Sequence, residues 1–222
     1  MRKKAILVGA TGLIGQDLLI KLLADDRFGE VLVISRKALE MEHPKLEQLV
    51  INFDDLNNYA KEITGDIVFC CLGSTIKKTP DLAMYRKIDY LYPFEVGNLA
   101  FANGAKQYHL ISAMGADVNS RLFYSRTKGE LERDVQKIPF ESIHIYRPAL
   151  LDGNRKEERK AEHFMIGLFR FINPLLIGPL TKYRSIKIEK IADAMLSKAK
   201  GNEKGVHIYE SDEISLLSER PS

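Results

Sequence analysis

Three glycines near the N-terminus constrain the fold of this chain more than any other feature. Gly9, Gly12 and Gly15 form a G-x-x-G-x-x-G pattern that directly follows the apolar run 5–8. A strand without polar alternation is typical of the centre of a parallel sheet, which is covered on both faces. After the glycines, apolar residues recur at three- and four-residue intervals as far as Lys21. The sequence therefore predicts a strand, a glycine turn and an amphipathic helix.

Each glycine has a separate physical purpose in such a turn. Gly9 permits the tight turn, Gly12 lets backbone N–H groups approach a pyrophosphate, and Gly15 lets the helix pack closely on the sheet. The positive end of the helix dipole then attracts the phosphate charge. The turn is predicted to bind a dinucleotide; the alternative is a structural turn without a ligand.

Strand and helix patterns alternate along the rest of the chain. The predicted strands are 31–34, 49–53, 67–72, 108–111, 143–146 and 206–209, and the predicted helices are 81–105, bent near Pro93, 122–136 and 188–199. This order predicts an α/β protein, a doubly wound Rossmann fold with a mostly parallel sheet. With 222 residues, a single NAD(P)-binding domain over 1–222 is the expected organisation.

Residues 150–187 interrupt the alternation. A charge run is followed there by the apolar stretch 164–180, which contains Arg170, Pro174 and Pro179. A charge and two prolines are unfavourable in a membrane span. We interpret the region as a small C-terminal cap over a substrate cleft; a homodimer face and a shallow membrane contact are the alternatives.

Charge and cysteine content narrow the partners and the location. Lys and Arg number 33 against 30 Asp and Glu, and the two signs are interleaved, so nucleic acid is not a predicted partner. Cys70 and Cys71 are the only cysteines, and a disulfide between adjacent residues would be badly strained. We therefore expect a soluble, cytoplasmic protein. The five histidines show no ligand spacing, so no metal site is predicted.

Residues that follow the predicted strands bear on cofactor choice. Arg36 follows the second strand, where an NAD-preferring fold places an acid for the ribose 2′-hydroxyl. A guanidinium pairs well with a 2′-phosphate, which favours NADP(H) over NAD(H); a plain surface arginine is the alternative. By position alone, Asp54 is expected to accept from the adenine amino group, and Leu72 and Gly73 to pass close to the ribose.

A Tyr-x-x-x-Lys spacing supplies the catalytic candidates. It occurs twice, as Tyr124 with Lys128 and as Tyr183 with Lys187. The second pair lies in an extended-looking segment, where residues four apart are roughly 13 Å from each other. Tyr124 and Lys128 begin a predicted helix, which puts both on one face. Ser112 lies at the carboxyl end of the fifth predicted strand, the edge at which open α/β sheets bind ligands.

Reduction of a carbonyl group explains these residue types. The developing alkoxide needs a proton while hydride arrives from a nicotinamide, and Tyr124 would supply that proton. A free tyrosine has a pKa of about 10, which a nearby Lys128 cation would lower by stabilising the phenolate. Ser112 would hydrogen-bond the carbonyl oxygen, and Lys128 would also hold the nicotinamide ribose. The alternative is that Tyr124 is an ordinary residue of an amphipathic helix.

Together these motifs resemble the atypical short-chain dehydrogenase/reductases. Segments 71–75 and 110–117 look like the subgroup of the Tat-interacting oxidoreductase-like proteins and their bacterial relatives. The resemblance implies NADPH binding, with Asn98 as the candidate for a proton-relay asparagine of the family. It assigns phosphate contacts to Gly9, Thr11, Gly12, Leu13, Ile14 and Gly15, the 2′-phosphate to Arg36, the nicotinamide side to Arg147 and Pro148, and catalysis to Ser112, Tyr124 and Lys128.

Two functions are the main hypotheses for these residues. A sugar-nucleotide epimerase is a third possibility, although 222 residues leave little room for the C-terminal domain that usually binds a nucleotide sugar. The leading hypothesis is an NADP(H)-dependent oxidoreductase that acts on a small carbonyl or alcohol, with Tyr124 as general acid/base. The alternative is a non-catalytic NADP(H)-binding regulatory protein that recruits a protein partner. An intact set of Ser, Tyr and Lys favours the enzyme, because a pure binding protein has no chemical need of it.

Replacing Arg36 tests the cofactor assignment. Arg36→Glu removes the cation and introduces a carboxylate, which repels a 2′-phosphate and accepts from a ribose 2′-hydroxyl. Calorimetric titration of both proteins with NADPH and NADH should show that the preference changes from NADPH to NADH. An unchanged ratio of the two dissociation constants would mean that Arg36 is a plain surface residue.

Overall fold

A parallel sheet forms the centre of the structure, a computed structural model that describes residues 2–152 and 178–219. Within these ranges its strands are β1 Lys3–Val8, β2 Phe28–Ser35, β3 Leu46–Val50, β4 Ile67–Cys70, β5 Gln107–Ile111 and β6 Ser142–Arg147, with β9 Gly205–Glu210 at the edge; β7 Leu151–Asp152 and β8 Ile186–Lys187 form a separate pair. The order is β3-β2-β1-β4-β5-β6-β9, and all neighbours are parallel. The chain winds outward from β1 in both directions, which confirms the doubly wound α/β class.

Helices cover both faces of the sheet. They are α1 Leu13–Ala24, α2 Leu82–Arg86, a π-helical turn at Lys87–Leu91, α3 Tyr92–Ala102, α4 Phe123–Val135, α5 Ile188–Ala199 and α6 Ser211–Ser218, with 3₁₀ helices at Phe53–Tyr59 and Gly178–Tyr183. In the parts of the chain that the structure describes, no helix has both the length and the apolar character that a membrane crossing requires.

The unbroken apolar sequence of β1 matches its position between two cores. Ala5 and Leu7 belong to the core beneath α1 and α5, whereas Ile6 and Val8 belong to the core beneath α3 and α4. All four side chains are fully buried. Because successive side chains of a strand point to opposite faces, a central strand needs apolar residues at every position.

The third strand begins and ends earlier than predicted. It spans Leu46–Val50 rather than 49–53, because these residues pair in register with β2. Asn52 then accepts a hydrogen bond from the backbone N–H of Asp54 and begins a 3₁₀ helix. Pairing with a neighbouring strand, which local hydrophobicity does not report, decided the boundary.

The predicted helix 81–105 is interrupted before its proline. A π-helical turn at Lys87–Leu91 joins α2 to α3. Pro93 instead lies in the first turn of α3, where a missing N–H leaves no hydrogen bond unmade. The change of helix type therefore occurs at the π-helical turn and not at the proline.

Most of the predicted substrate cap lies outside the described residues. These undescribed residues are 153–177, which include the charge run and much of the apolar stretch. On either side of them, Leu151 of β7 pairs with Ile186 of β8. The described residues before and after this segment therefore meet in a two-stranded parallel sheet.

Three histidines stack across one face of the main sheet. His109, His144 and His207 are register partners on β5, β6 and β9, and adjacent ring centroids are 4.6 Å and 5.1 Å apart. Nδ1 of His109 lies 3.1 Å from the Tyr146 hydroxyl, and Nδ1 of His144 lies 3.0 Å from the Tyr209 hydroxyl. Burial, reinforced by the neighbouring histidine, lowers the pKa of His109 well below its ordinary value and that of His144 to about 4.

The stack predicts a loss of stability in mild acid. An unfolded histidine takes up a proton near pH ~6.5, whereas the folded His144 does so only near pH 4. The unfolded chain therefore binds more protons between these values, and the free energy of unfolding should fall as the pH is lowered through them. Denaturant titrations at several pH values should show a shallower fall in His144→Phe, which keeps a ring in the stack. His43→Phe, outside the stack, is the control; equal slopes in wild type and His144→Phe would refute the assignment.

Candidate active site

A cavity of about 670 Å³ opens at the carboxyl ends of β1, β4 and β5. Open α/β sheets bind ligands at this edge, where the winding direction reverses, and here the reversal lies between β1 and β4. Ten residues singled out from the sequence line the cavity: Thr11, Gly12, Leu13, Ile14, Leu72, Gly73, Ser112, Tyr124, Lys128 and Pro148. The fold therefore brings most of the predicted phosphate, ribose and catalytic residues to one place.

The glycine turn adopts a conformation that larger residues would disrupt. Gly9 has a φ of +85°, in the left-handed region, which glycine enters without steric cost. A Cβ atom on Gly9 would lie 2.5 Å from backbone atoms of Cys71, and one on Gly15 would lie 2.2 Å from the carbonyl oxygen of Gly9. The backbone at the start of α1 therefore lies in direct contact with the turn after β1, which in turn contacts the end of β4.

The start of α1 is suited to bind an anion. Gly12 is the N-cap residue and has no side chain with which to cap the first-turn N–H groups. Thr11, Gly12, Leu13 and Ile14 line the cavity, so the N-terminus of the helix meets this space. Free N–H groups and the helix dipole attract phosphate at such a position. The residues present therefore fit the pyrophosphate of a dinucleotide cofactor.

Ser112 provides a buried polar atom without a partner in the part of the chain that the structure describes. It follows β5 directly, and its backbone N–H donates to the carbonyl oxygen of Tyr146. The Ser112 hydroxyl oxygen is buried and has no hydrogen-bond partner among the described residues. Because a buried hydroxyl without a partner costs free energy, this atom is suited to a ligand oxygen in the cavity.

A glycine lets the helix that bears Tyr124 and Lys128 approach the loop after β5. A Cβ atom on Gly129 of α4 would lie 2.4 Å from the backbone of Asp117. The backbone N–H of Asp117 donates to the carbonyl oxygen of Ser125. Tyr124 and Lys128 lie one turn apart in the first half of α4, so this contact fixes both of them relative to the loop.

Sequence reasoning missed Asp89, which lies in the same cavity. Its side chain is fully buried, and its Oδ1 atom lies 2.9 Å from Nζ of Lys128, which is itself buried. The backbone N–H of Ser74 donates to Oδ2 of Asp89 at 2.7 Å. The only local signal is an acid among the apolar neighbours Ile88 and Tyr90, and that signal does not reveal a partner so far along the chain.

The pKa values of Lys128 and Tyr124 reflect the burial of this site. Burial alone would lower the pKa of Lys128, but the carboxylate of Asp89 and the phenol of Tyr124 together raise it above its ordinary value. Burial raises the pKa of Tyr124; Lys128 lowers it, and Asp89 raises it again. The net direction for Tyr124 is upward, opposite to the expectation from Lys128 alone, because Asp89 neutralises the lysine and the site is screened from water.

The adenine-side residues lie beyond the lining of the cavity. Arg36 is exposed directly after β2. The carboxylate of Asp54 accepts from Nζ of Lys87 and from the hydroxyl of Tyr92, both at 2.8 Å and both through Oδ1. These two bonds explain why Asp54, although exposed, has a pKa below its ordinary value.

The nicotinamide-side residues separate in the structure. Pro148 lines the cavity, whereas the guanidinium of Arg147 pairs with Glu132 of α4 and with Glu210 of β9. Nε of Arg147 lies 3.0 Å from Oε1 of Glu132, whose side chain is buried. The charge of Arg147 thus joins β6, α4 and β9 and does not face the cavity.

Asn98 and the second Tyr-x-x-x-Lys pair are not among the residues that line the cavity. Asn98 is exposed and donates to the carbonyl oxygen of Phe94. Tyr183 ends a 3₁₀ helix, whereas Lys187 belongs to β8. The second Tyr-x-x-x-Lys spacing therefore does not lie within one helix.

Comparison with known proteins identifies the family, although no family model matches the chain. The chain is 35% identical over 164 residues to Protein HTATIP2 of Rattus norvegicus, covering 72% of the chain and 67% of that protein. It is 31% identical over 179 residues to Protein fmp52, mitochondrial, of Aspergillus niger, covering 78% and 76%. The chain belongs to the HTATIP2 and FMP52 group of atypical short-chain dehydrogenase/reductases.

Solved structures of other proteins share the fold of this chain. MoeE5 in complex with UDP-glucose and NAD superposes with a TM-score of 0.70 at 14% identity, over 97% of this chain and 80% of MoeE5. WbmH of Bordetella bronchiseptica in complex with NAD+ gives 0.70 at 17% identity, over 97% and 79%. At these identities the comparison shows the fold alone, which is the Rossmann fold expected from the sequence.

The relatives overturn the expected cytoplasmic location. The FMP52 proteins of Aspergillus niger, Emericella nidulans and Candida albicans are named as mitochondrial. Cys70 and Cys71 are both free thiols in the structure, but free thiols report only that a disulfide is not formed. They do not distinguish the cytoplasm from other compartments that lack disulfide-forming machinery, so the inference from cysteine content was wrong.

Gly15→Ala tests whether the glycine turn of this protein binds the cofactor. The added methyl group would force the start of α1 away from Gly9, so binding of a nicotinamide dinucleotide should weaken by at least about tenfold. Fluorescence titration with NADH and with NADPH measures this directly. Gly201→Ala is the matched control, because its Cβ would make only ordinary contacts, the nearest at 3.5 Å. Wild-type affinity in Gly15→Ala would show that the turn does not hold the cofactor.

Proposed function

We propose that this protein is an NADP(H)-dependent oxidoreductase that transfers hydride to or from a small carbonyl or alcohol substrate. The observation that carries the proposal is the cavity itself. Ser112, Tyr124 and Lys128 line the same space as the glycine turn. A proton donor, a hydroxyl for the reacting oxygen and an anion-binding helix N-terminus thus converge on one site.

The glycine turn and the loop after β4 would hold the cofactor. The first-turn N–H groups of α1 would bind its pyrophosphate, and Leu72 and Gly73 line the cavity where a ribose would follow. Nζ of Lys128 lies beside Gly73 and would bind the nicotinamide ribose. A bound nicotinamide supplies the hydride donor or acceptor that no amino-acid side chain provides.

Tyr124 would act as the general acid in reduction and the general base in oxidation. Burial raises its pKa, so the phenol holds its proton at neutral pH in the free protein and is present in the form that reduction requires. The free hydroxyl of Ser112 would donate to the substrate oxygen and orient the carbonyl. Ala113 and Pro148 supply apolar surface that excludes water around the reacting atoms.

Preference for NADP(H) over NAD(H) forms a further part of the proposal. Arg36 is exposed directly after β2, and its guanidinium would pair with a 2′-phosphate. Asp54 remains the proposed contact for the adenine amino group, because both of its internal bonds end on Oδ1 and Oδ2 can accept. Residues 150–187, with 164–180 at their centre, would cap the substrate within a single domain.

Tyr124→Phe separates binding from chemistry. Removal of the hydroxyl should reduce the rate of carbonyl reduction by about 10²-fold or more, since proton transfer is lost, while NADPH binding stays close to wild type. Absorbance at 340 nm with a panel of small aldehydes and ketones measures the rate. Tyr59→Phe is the control, because it removes the same hydroxyl from the end of the 3₁₀ helix Phe53–Tyr59, outside the cavity lining, and it should react like wild type.

The outcome also decides between the two functional hypotheses. Tight NADPH binding without turnover of any carbonyl or alcohol in the wild type would favour the non-catalytic regulatory protein. A turnover rate in Tyr124→Phe equal to that of wild type would exclude Tyr124 as the acid. If the wild-type protein binds neither NADPH nor NADH, both the enzyme hypothesis and the regulatory-protein hypothesis are wrong.

A further inference from the structure

We propose that Asp89 is a positioning residue that fixes the buried ammonium of Lys128 beside Tyr124 and holds the loop after β4 against it. The proposal rests on the proposed function for the reaction that it describes. The ion pair from which it starts is a property of the folded chain, independent of any ligand.

Asp89 and Lys128 form an ion pair that is removed from solvent inside the site. Their side chains are 0% and 4% exposed, and Nζ of Lys128 lies 2.9 Å from Oδ1 of Asp89. Two charges are taken out of water only at a large cost, which their mutual attraction must offset. Both residues line the cavity, so this arrangement serves the site and not only the core.

The second oxygen of Asp89 holds the loop after β4. The backbone N–H of Ser74 donates to Oδ2 of Asp89 at 2.7 Å. A Cβ atom on Gly73 would lie 3.6 Å from both Oδ1 of Asp89 and Nζ of Lys128, so the loop backbone passes directly beside the ion pair. One carboxylate therefore connects the loop proposed to contact the ribose with the lysine proposed to bind it.

A change in helix type presents Asp89 to this position. The π-helical turn Lys87–Leu91 lies between α2 and α3, and Asp89 is its buried residue. Turns of this kind inside a helix are frequent at functional sites, because they alter which side chains face a given direction. The departure from regular helix thus coincides with the acid that reaches Lys128.

The charge balance around Tyr124 determines the effect on proton transfer. Asp89 neutralises the ammonium of Lys128, so the phenol stands beside a neutral pair instead of a free cation. Among the described residues, the titratable or charged groups around Tyr124 are Asp89 on the π-helical turn, Lys128 on α4, Cys70 on β4, Cys71 and Lys78 on the loop after β4, and Tyr85 on α2, whose ring centroid lies 6.5 Å from that of Tyr124. A phenol so placed stays protonated to higher pH than one beside a free cation.

Lysine side-chain NMR tests the pair without substrate or cofactor. With ¹³C-labelled lysine and Lys128→Met to assign the signal, Lys128 of the wild type should remain protonated above its ordinary pKa of 10.5. In Asp89→Asn the ammonium stays buried without its partner, so its pKa should fall by about two units or more. Lys128 titrating at its ordinary value in the wild type, or equally in both proteins, would overturn the proposal.

Two further variants keep the test decisive. Asp193→Asn is the matched control, because it removes the carboxylate of another lysine ion pair, that with Lys21, outside the cavity lining; it should leave the Lys128 titration unchanged. Asp89→Glu retains the charge and should keep the pKa of Lys128 high. If Asp89→Asn does not fold, the wild-type and Asp89→Glu titrations decide, and an ordinary pKa for Lys128 in both would contradict the proposal.

The pH dependence of reduction is the second readout. Reduction needs the proton held by the pair, so the loss of rate at high pH should begin at lower pH in Asp89→Asn, by about the shift that NMR measures. Asp193→Asn should keep the wild-type profile. A wild type that reduces no carbonyl defeats the proposed function while the NMR result stands. Reduction with an unaltered profile and an unaltered Lys128 titration in Asp89→Asn defeats this inference alone.

Discussion

The backbone contact within the glycine turn is the constraint on which the site depends. A side chain on Gly15 would meet the carbonyl oxygen of Gly9 at 2.2 Å, and one on Gly9 would meet the backbone of Cys71 at 2.5 Å. α1 therefore begins directly beside the ends of β1 and β4, and its N-terminus becomes a wall of the cavity. Looser packing would move the N–H donors away from the place where a phosphate could reach both them and the neighbouring strands.

Two ion pairs, made by residues one helical turn apart, fix the position of α4. Lys128 pairs with Asp89 in the cavity, and Glu132, one turn further on, pairs with Arg147 of β6. Because both pairs include buried charges, removal of one partner would leave the other uncompensated. Tyr124 is carried by the same helix, so its position follows from contacts that α4 makes with the sheet and with the π-helical turn.

Family membership and site geometry answer different questions. Identity to HTATIP2 and to FMP52 proteins establishes ancestry, and the solved structures establish the Rossmann fold. The mitochondrial names of the fungal relatives overturn the location inferred from composition. The chemistry proposed for the site rests on this chain's own side chains: a free hydroxyl at Ser112, a protonated phenol at Tyr124 and a lysine whose charge is balanced.

The sequence by itself determined the features that depend on neighbouring residues. The apolar run of β1, the glycine turn and the helical periodicity of α1 predicted the fold, and a helical setting distinguished Tyr124 with Lys128 from Tyr183 with Lys187. Only the tertiary structure decided three other features. The bounds of β3 follow from its pairing with β2. Arg147 pairs with Glu132 of α4 and does not face the cavity, and Asp89 approaches Lys128. These features depend on residues far apart in the chain, and a local pattern carries no record of which distant charge or strand it will meet.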